Sequence, residues 1–343
     1  MAGLVHDSVT QVTVVAMPTL TLSFACWDYD RTRALQDGRV RPEGVELVPL
    51  MLPVEETFYR QLRHREFDVS EMSLSSYVLT LNEPEPPFVA LPVFPSRFFR
   101  HQSIYVNTRN GIEKPADLIG KRVGTPEYQM TAGVWQRGIL AEHHGVPVDS
   151  VHYFTGALEE RGRPEKLALP DRISVTPIGP DENLSDLLEA GELDAVYTAA
   201  QPSCFGRAPH IRHLFEDFVS VERAYYARTR IFPIMHTVVI RRELYDRHPW
   251  LARSLYKAFE ESLRIAESGL RQRGALKVML PWLQHHVTET VAALGDGYWD
   301  YGLDRNRHVL AKFAEYSHDQ GLAKQVWAPE EIVLPQAADG FTL

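Results

Sequence analysis

Cysteine is scarce in this chain: Cys26 and Cys204 are the only two in 343 residues. They show no CxxC or metal-type spacing, so a disulfide scaffold is excluded and two reduced thiols are the expectation. Positive charge is in deficit as well. Lys and Arg number 36 against 45 Asp and Glu, a formal net charge of −9. Nucleic-acid binders usually carry a basic domain, and this balance removes that reason to expect one. No apolar run approaches the ~18 residues a membrane span needs. The N-terminus lacks a basic n-region, carries Asp7 early and is broken at Gln11, Thr13, Pro18 and Thr19, so it makes a poor export signal. Repeats and low-complexity tracts are missing too. The expectation from these absences is a cytoplasmic globular protein with neither nucleic acid nor membrane as partner. Residues 1–17 read as a flexible tail. A homo-oligomer is compatible with all of this.

What is present suits about two domains of roughly 150 residues each. Hydrophobic residues make up 44% and charged residues 24%, enough for an ordinary core. Leu20–Ala25 alternates as a strand, Thr32–Gln36 starts a short helix, and Val45–Leu50 is a second strand. Val54–His64 has helical spacing, Phe67–Ser73 is a third strand, and Leu74–Leu81 is again a helix. This βαβαβα order predicts a mostly parallel sheet covered by helices, with ligands beyond the carboxyl ends of the strands. Asp28–Arg31 and Ser73, Ser75 and Ser76 fall there.

Further along, Lys121–Gly124 is a strand leading through Thr125–Thr131 into a helix from Ala132 to His143. Free N–H groups at such a helix start make an anion site. Glu159–Asp171, with Gly162, Pro164 and Pro170, reads as a surface excursion. Asp181–Glu189 is a helix with Asp181 as a plausible cap, and Gly191–Tyr197 is a turn and strand. Pro249–Gln272 is a long helix with Leu251, Leu255, Phe259 and Leu263 on one face.

Two stretches carry the chain between lobes. Leu91–Asn107, LPVFPSRFFRHQSIYVN, packs Arg97, Arg100 and His101 beside Phe98 and Phe99, and its prolines argue against a regular central strand. Phe232–Ile240, FPIMHTVVI, returns the chain and carries His236. The expected division is therefore 18–103 with 241–343 for a discontinuous lobe I, and 104–240 for lobe II.

Several segments together resemble one family. They are YDRTRAL (29–35), RPEGVEL (41–47), FDVSEMSLSSY (67–77), PVFPSRFFRHQSIYVN (92–107), DLIGKRVGTPEYQMTAGVW (117–135), GELDAVY (191–197), FPIMH (232–236), HPWLARSLYKAF (248–259) and YSHDQGL (316–322). The chain in these segments resembles the 4,5-dihydroxyphthalate decarboxylase family. The resemblance implies a type II periplasmic-binding-protein-like fold, two α/β lobes with a cleft between them. It also implies a lyase that removes one carboxylate from a dihydroxyphthalate. ABC-transporter binding proteins share the fold, so a non-catalytic solute-binding protein for an aromatic carboxylate is the rival. An enzyme acting on another hydroxylated aromatic acid is a third reading. The extension before Thr19 and the 159–171 excursion depart from the family pattern.

Decarboxylation of such a ring needs a clamp for the retained carboxylate, a partner for a phenolic proton, an acid for the ring carbon and an apolar place for the departing group. It needs no organic cofactor. Arg31, Arg97 and Arg100 are the expected clamp, because guanidinium presents a planar fork to carboxylate. Each alone would ordinarily be a surface ion pair. His236 and His101 are the expected acid–base pair, titrating near neutrality. A lone histidine among apolar residues is usually a core group; only the meeting of two crossings raises these. Asp30, with Asp28 and Glu71 as further carboxylates, is expected to accept the phenolic proton or orient a histidine. Asp28, Asp30, His101 and His236 are also weighed as a divalent-metal set, the lesser alternative. Ser75, Ser76, Tyr128, Gln129 and Thr131 are expected at the polar ring edges, with Phe232 as an apolar wall. Thr131 could instead cap its own helix. His143–His144 and His285–His286 read as surface pairs.

Overall fold

The structure is a computed structural model that describes residues 19–160, 168–170 and 173–334. The 1–17 tail and most of the 159–171 excursion lie outside the described residues. Among these, no helix is long and apolar enough to cross a membrane.

The first sheet is built from β1 (Leu20–Ala25), β2 (Val45–Leu50), β3 (Val69–Ser73) and β4 (Phe88–Arg97), interleaved with α1 (Asp30–Gln36), α2 (Val54–His64) and α3 (Leu74–Thr80). The chain then crosses to a second sheet. It contains β5 (Ile104–Asn107), β6 (Arg122–Thr125), β7 (His152–Thr155), β8 (Thr176–Pro177), β9 (Ala195–Tyr197) and β10 (Ile211–His213). Helices α4 (Thr131–His144), α5 (Leu184–Ala190) and α6 (Phe218–Thr229) accompany it. Strand β11 (Ile234–Arg241) returns to the first sheet. Helices α7 (Arg242–Arg247), α8 (Trp250–Leu270), α9 (Leu283–Leu294) and α10 (Leu303–Asp319) follow.

Both sheets are mixed. Their orders are β2-β1-β3-β11-β4 and β10-β5-β9-β6-β7-β8. Parallel pairs join β1 to β2 and β3, and β6 to β7 and β9. The strands flanking the crossings, β11 and β5, pair antiparallel on both sides.

Three local expectations are refined. Pro92 and Pro95 do lie in a strand, but β4 ends its sheet, where a missing N–H is tolerated, and its pairing to β11 shifts register twice. All of β11 belongs to the first sheet, so the return crossing precedes Ile234 instead of falling at 240–241. Helix α5 is capped by Asn183, whose side chain accepts from the Asp186 N–H at 2.8 Å, and not by Asp181.

One apolar core runs through both lobes, and a smaller cluster around Leu184, Leu188 and Val196 sits under β5 and β9. Helix α4 joins the halves. Trp135 is fully buried and donates from Nε1 to Ile234 O of β11 at 2.9 Å. Its ring meets Phe313 and Tyr316 of α10 at 5.5 and 5.7 Å. Gly138 permits this approach: a Cβ there would stand 2.2 Å from the Tyr316 ring. The middle of α4 is thereby held against the first lobe, while its N-terminus opens toward the cleft.

Candidate active site

Sheet pairing sets the centre of the cleft. His236 of β11 lies opposite Ser73, the last residue of β3, so the imidazole stands at the carboxyl end of the first sheet. Tyr29 just before α1 and Phe58 of α2 complete that wall. The second lobe supplies Met130, Thr131 and Ala132 from the start of α4, together with Arg100 and Ala199. These residues enclose about 350 Å³, within the usual range of about 300–1,000 Å³ for small-molecule sites. A larger groove of about 770 Å³ adjoins it; Glu55 and Glu127 line both, and Glu159, Glu160 and Glu182 add three further carboxylates to the larger one alone. The larger groove gathers the more negative charge, and the smaller cavity, which also holds His236 and Arg100, is the candidate site.

At its base is a buried carboxylate. Glu71 of β3 is wholly shielded from solvent. His236 Nδ1 lies 2.6 Å from Glu71 Oε1. The Tyr29 hydroxyl donates to the same oxygen at 2.6 Å, and Trp27 N–H donates to Oε2 at 3.1 Å. Burial alone would raise the Glu71 carboxyl. The charge and hydrogen bond of His236, with those of Tyr29 and Trp27, outweigh it and hold Glu71 below the usual carboxylate range. An ionised carboxylate can only accept, so Nδ1 carries the hydrogen and Nε2 is left to the cavity. The Phe58 ring meets the imidazole edge-on at 4.9 Å and fixes its plane. Burial and the Glu71 charge raise the Cys26 thiol well above its ordinary value, so it stays protonated.

Across the cavity, Arg100 is buried and makes no ion pair among the described residues. It donates from Nε to Met235 Sδ at 3.1 Å and from Nη1 to Ala199 O at 3.2 Å, and it stacks 4.5 Å from the Phe98 ring. Burial lowers its pKa to about 10, with Glu222 acting only through space in the opposite sense. Beside it, α4 begins without a side-chain cap. Thr131 does not cap its own helix. Its Oγ1 spans the cleft to Ser73 Oγ at 2.9 Å and accepts from Ser75 N–H at 3.0 Å. The helix start, positive by its dipole, thus faces the cavity beside a buried guanidinium.

The structure brings only part of the expected site together. His236, Arg100, Ser76 and Thr131 line the cavity. His101 does not. It is buried among Phe215, Tyr225 and His144, at ring distances of 5.4, 5.1 and 6.3 Å. Burial, then the neighbouring His144 and His143, lower its pKa to about 3. Arg97 points away from the cleft and donates to Phe232 O, Asp300 O and Asn306 Oδ1, joining β4 to the start of α10. Arg31 donates to Pro95 O and Asp30, and lies over the Tyr29 and Trp299 rings at 4.0 and 4.5 Å. Asp30 is half-exposed in that pair. Asp28 pairs with Arg33. The four residues weighed as a metal set are therefore dispersed, and no cluster of three His, Cys, Asp or Glu among the described residues could hold a metal ion.

Tyr128 is buried against Arg137 and donates to Gln320 O. Gln129 is buried beside Glu127, and the Ser75 side chain is fully buried in α3. Phe232 packs on Phe99 and Trp299 outside the cavity wall. His143 and His144 are half-buried, their rings meeting Tyr225 and Phe215, where fully exposed histidines were expected.

Sequence reasoning undervalued Glu71 and passed over Tyr29, Phe58 and Met130. One signal was available: β3 is a strand buried at every position, and an acid there must have dedicated partners.

Comparison with known proteins follows the same direction. The chain is 40% identical over 330 residues to a 4,5-dihydroxyphthalate decarboxylase of Comamonas testosteroni, covering 95% of this chain and all of that one. It is 45% identical over 206 residues to a 4,5-dihydroxyphthalate decarboxylase of Pseudomonas putida, covering 59% of this chain and 80% of that one. No family model matches. Among solved structures, the alkanesulfonate-binding protein SsuA of Xanthomonas axonopodis pv. citri, bound to MOPS, aligns with TM-score 0.52 at 12% identity, over 93% of this chain and 99% of that one. The periplasmic aliphatic sulphonate-binding protein SsuA of Escherichia coli gives TM-score 0.51 at 12% identity, over the same shares of the two chains. The architecture is that of the periplasmic binding proteins.

Proposed function

The chain belongs to the 4,5-dihydroxyphthalate decarboxylase family and is a carboxy-lyase; from that premise we propose that it converts 4,5-dihydroxyphthalate, or a close hydroxylated relative, to 3,4-dihydroxybenzoate in the cleft between its lobes. The observation that carries this reading is Arg100, a buried guanidinium without a carboxylate partner among the described residues, in the same cavity as a Glu71-supported histidine. A buried cation is costly until an anion joins it. A substrate carboxylate on Arg100 and the start of α4 meets that need.

In this reading the second carboxylate is the one that leaves. The hydroxyl para to its carbon gives its proton to water and supplies electrons to the ring. His236, as imidazolium, delivers the Nε2 hydrogen to the ring carbon that bears the carboxylate. The ring is then a cyclohexadienone with a tetrahedral carbon. Loss of CO₂ returns the C–C electron pair, restores aromaticity and leaves the hydroxyl oxygen as phenolate, which regains its proton. One proton is consumed per turnover, and His236 recovers it from water. Glu71 stabilises the imidazolium and holds the Nδ1–H tautomer. Phe58, Met130 and Val54 offer an apolar surface to the departing carboxylate, where its charge is poorly solvated and neutral CO₂ is not. The scheme draws its electrons from the ring hydroxyl and calls for no organic cofactor.

The test is to incubate purified, chelator-treated protein with 4,5-dihydroxyphthalate and to measure CO₂ and 3,4-dihydroxybenzoate. Stoichiometric release of both is expected. Binding without CO₂ release would overturn the assignment of this substrate and reaction.

A further inference from the structure

Glu71 organises two cavity-facing groups, and the mechanism above uses only one of them. The Tyr29 hydroxyl donates its single hydrogen to Glu71 Oε1 at 2.6 Å. An ionised carboxylate cannot return a hydrogen, so the Tyr29 oxygen keeps its lone pairs for another donor. The His236 Nδ1–H, given to Glu71 at 2.6 Å, reaches that oxygen only at 3.5 Å, which takes at most one lone pair, and Tyr29 is part of the cavity wall. Its ring is fixed from behind by Arg31 at 4.0 Å, itself stacked on Trp299 at 4.5 Å. Burial and the Glu71 charge raise the Tyr29 phenol far above its ordinary value, so it remains a neutral hydroxyl.

We infer that Tyr29 determines specificity by accepting a hydrogen bond from a ring hydroxyl of the bound aromatic acid; this rests on the reading of the cavity as the decarboxylation site. The opposite side of the cavity supplies donors suited to carboxylate, the Arg100 guanidinium and the start of α4, with Glu127 at its edge. Tyr29 offers the complementary acceptor beside His236. A ring without the hydroxyl leaves a part-buried acceptor unpaired, and such sites reject the analogue lacking the donor. The substrate is selected by carboxylate at one end of the cavity and by phenol at the other.

The pair 3,4-dihydroxybenzoate and benzoate tests this by calorimetry, because neither carries a second carboxylate to lose. Wild-type protein should bind the dihydroxy acid about tenfold more tightly or better. Tyr29→Phe should reduce that preference to about threefold or less while leaving benzoate affinity unchanged, which also reports that the cavity is intact. Retention of the full preference in Tyr29→Phe, or equal weakening of both ligands, overturns the inference. Equal affinities in the wild type overturn it as well, and leave the decarboxylase reading standing if CO₂ is still released from 4,5-dihydroxyphthalate. A wild type that binds neither acid and releases no CO₂ overturns both.

Discussion

His236 and His101 come from sequence neighbourhoods that look alike, each an aromatic or apolar run close to a lobe crossing, yet they end in opposite environments. His236 stands at the carboxyl end of a sheet, against an ionised buried acid, with one nitrogen open to a cavity. His101 is fully buried, neither ring nitrogen has a hydrogen-bond partner among the described residues, and the Glu222 carboxylate is 3.9 Å away. The same side chain faces a cavity against an acid in one place and is a neutral aromatic spacer in the other. Arg100 and Arg97 repeat the contrast. Both are buried cations without an ion pair among the described residues; Arg97 donates to carbonyl and amide oxygens and leaves Nε without a partner there, whereas Arg100 donates to a thioether and one carbonyl. What separates the members of each pair is where they face: His236 and Arg100 line the cavity, and His101 and Arg97 do not.

Substitutions can break this comparison, beginning with the greatest effect. His236→Ala should lower kcat by about a thousandfold, within the span typical of a general acid, while ligand affinity is largely kept. His101→Phe should leave kcat within about twofold, so equal losses in the two variants would erase the distinction. Glu71→Gln should lower kcat by roughly 10- to 100-fold with a small change in KM, because a neutral amide no longer supports the imidazolium. Steady-state kcat and KM of the variant beside those of the wild type check it. Arg100→Met should raise KM by about tenfold or more at nearly constant kcat and leave the protein no less stable, since a desolvated cation is removed. Arg97→Met should do the reverse, losing Tm with KM unchanged.

The smallest effects are on stability against pH. The Glu222 carboxyl is raised from 4.5 to about 7, chiefly by burial. The folded state then binds more protons than the unfolded state between those values, so this contribution to stability is present at low pH and is lost as pH rises toward 7. Glu222→Gln should gain about 2–3 kcal/mol relative to wild type at pH 8 compared with pH 4.5, read from urea midpoints. His101 has the opposite sign. Its folded-state value of about 3 lies below the ordinary 6.5, so its contribution is present above pH 6.5 and lost on acidification. His101→Phe should flatten that acid limb.

Much of the fold was legible from the chain. The strands at 20–25 and 45–50 and the helix at 54–64 were read to the residue, and the helix expected over 132–143 spans Thr131–His144. The site was legible only in outline. His236, Arg100, Ser76 and Thr131 were named and lie on the cavity. Tyr29 and the role of Glu71 were not resolved, because their significance is one shared hydrogen-bond node between residues of three different elements.

The sequence by itself determined the alternation of strands and helices, the chain crossing after β4, the shortage of cations that gives Arg100 its weight, and the family. Those properties are local or compositional, set by a period of two or 3.6 residues along the backbone or by simple counts. Tertiary structure alone decided which histidine meets an acid. His236 and Glu71 are 165 residues apart, and they touch because β11 pairs with β3 in one register. A shift of one residue would turn His236 to the other face of the sheet and leave Glu71 buried without it.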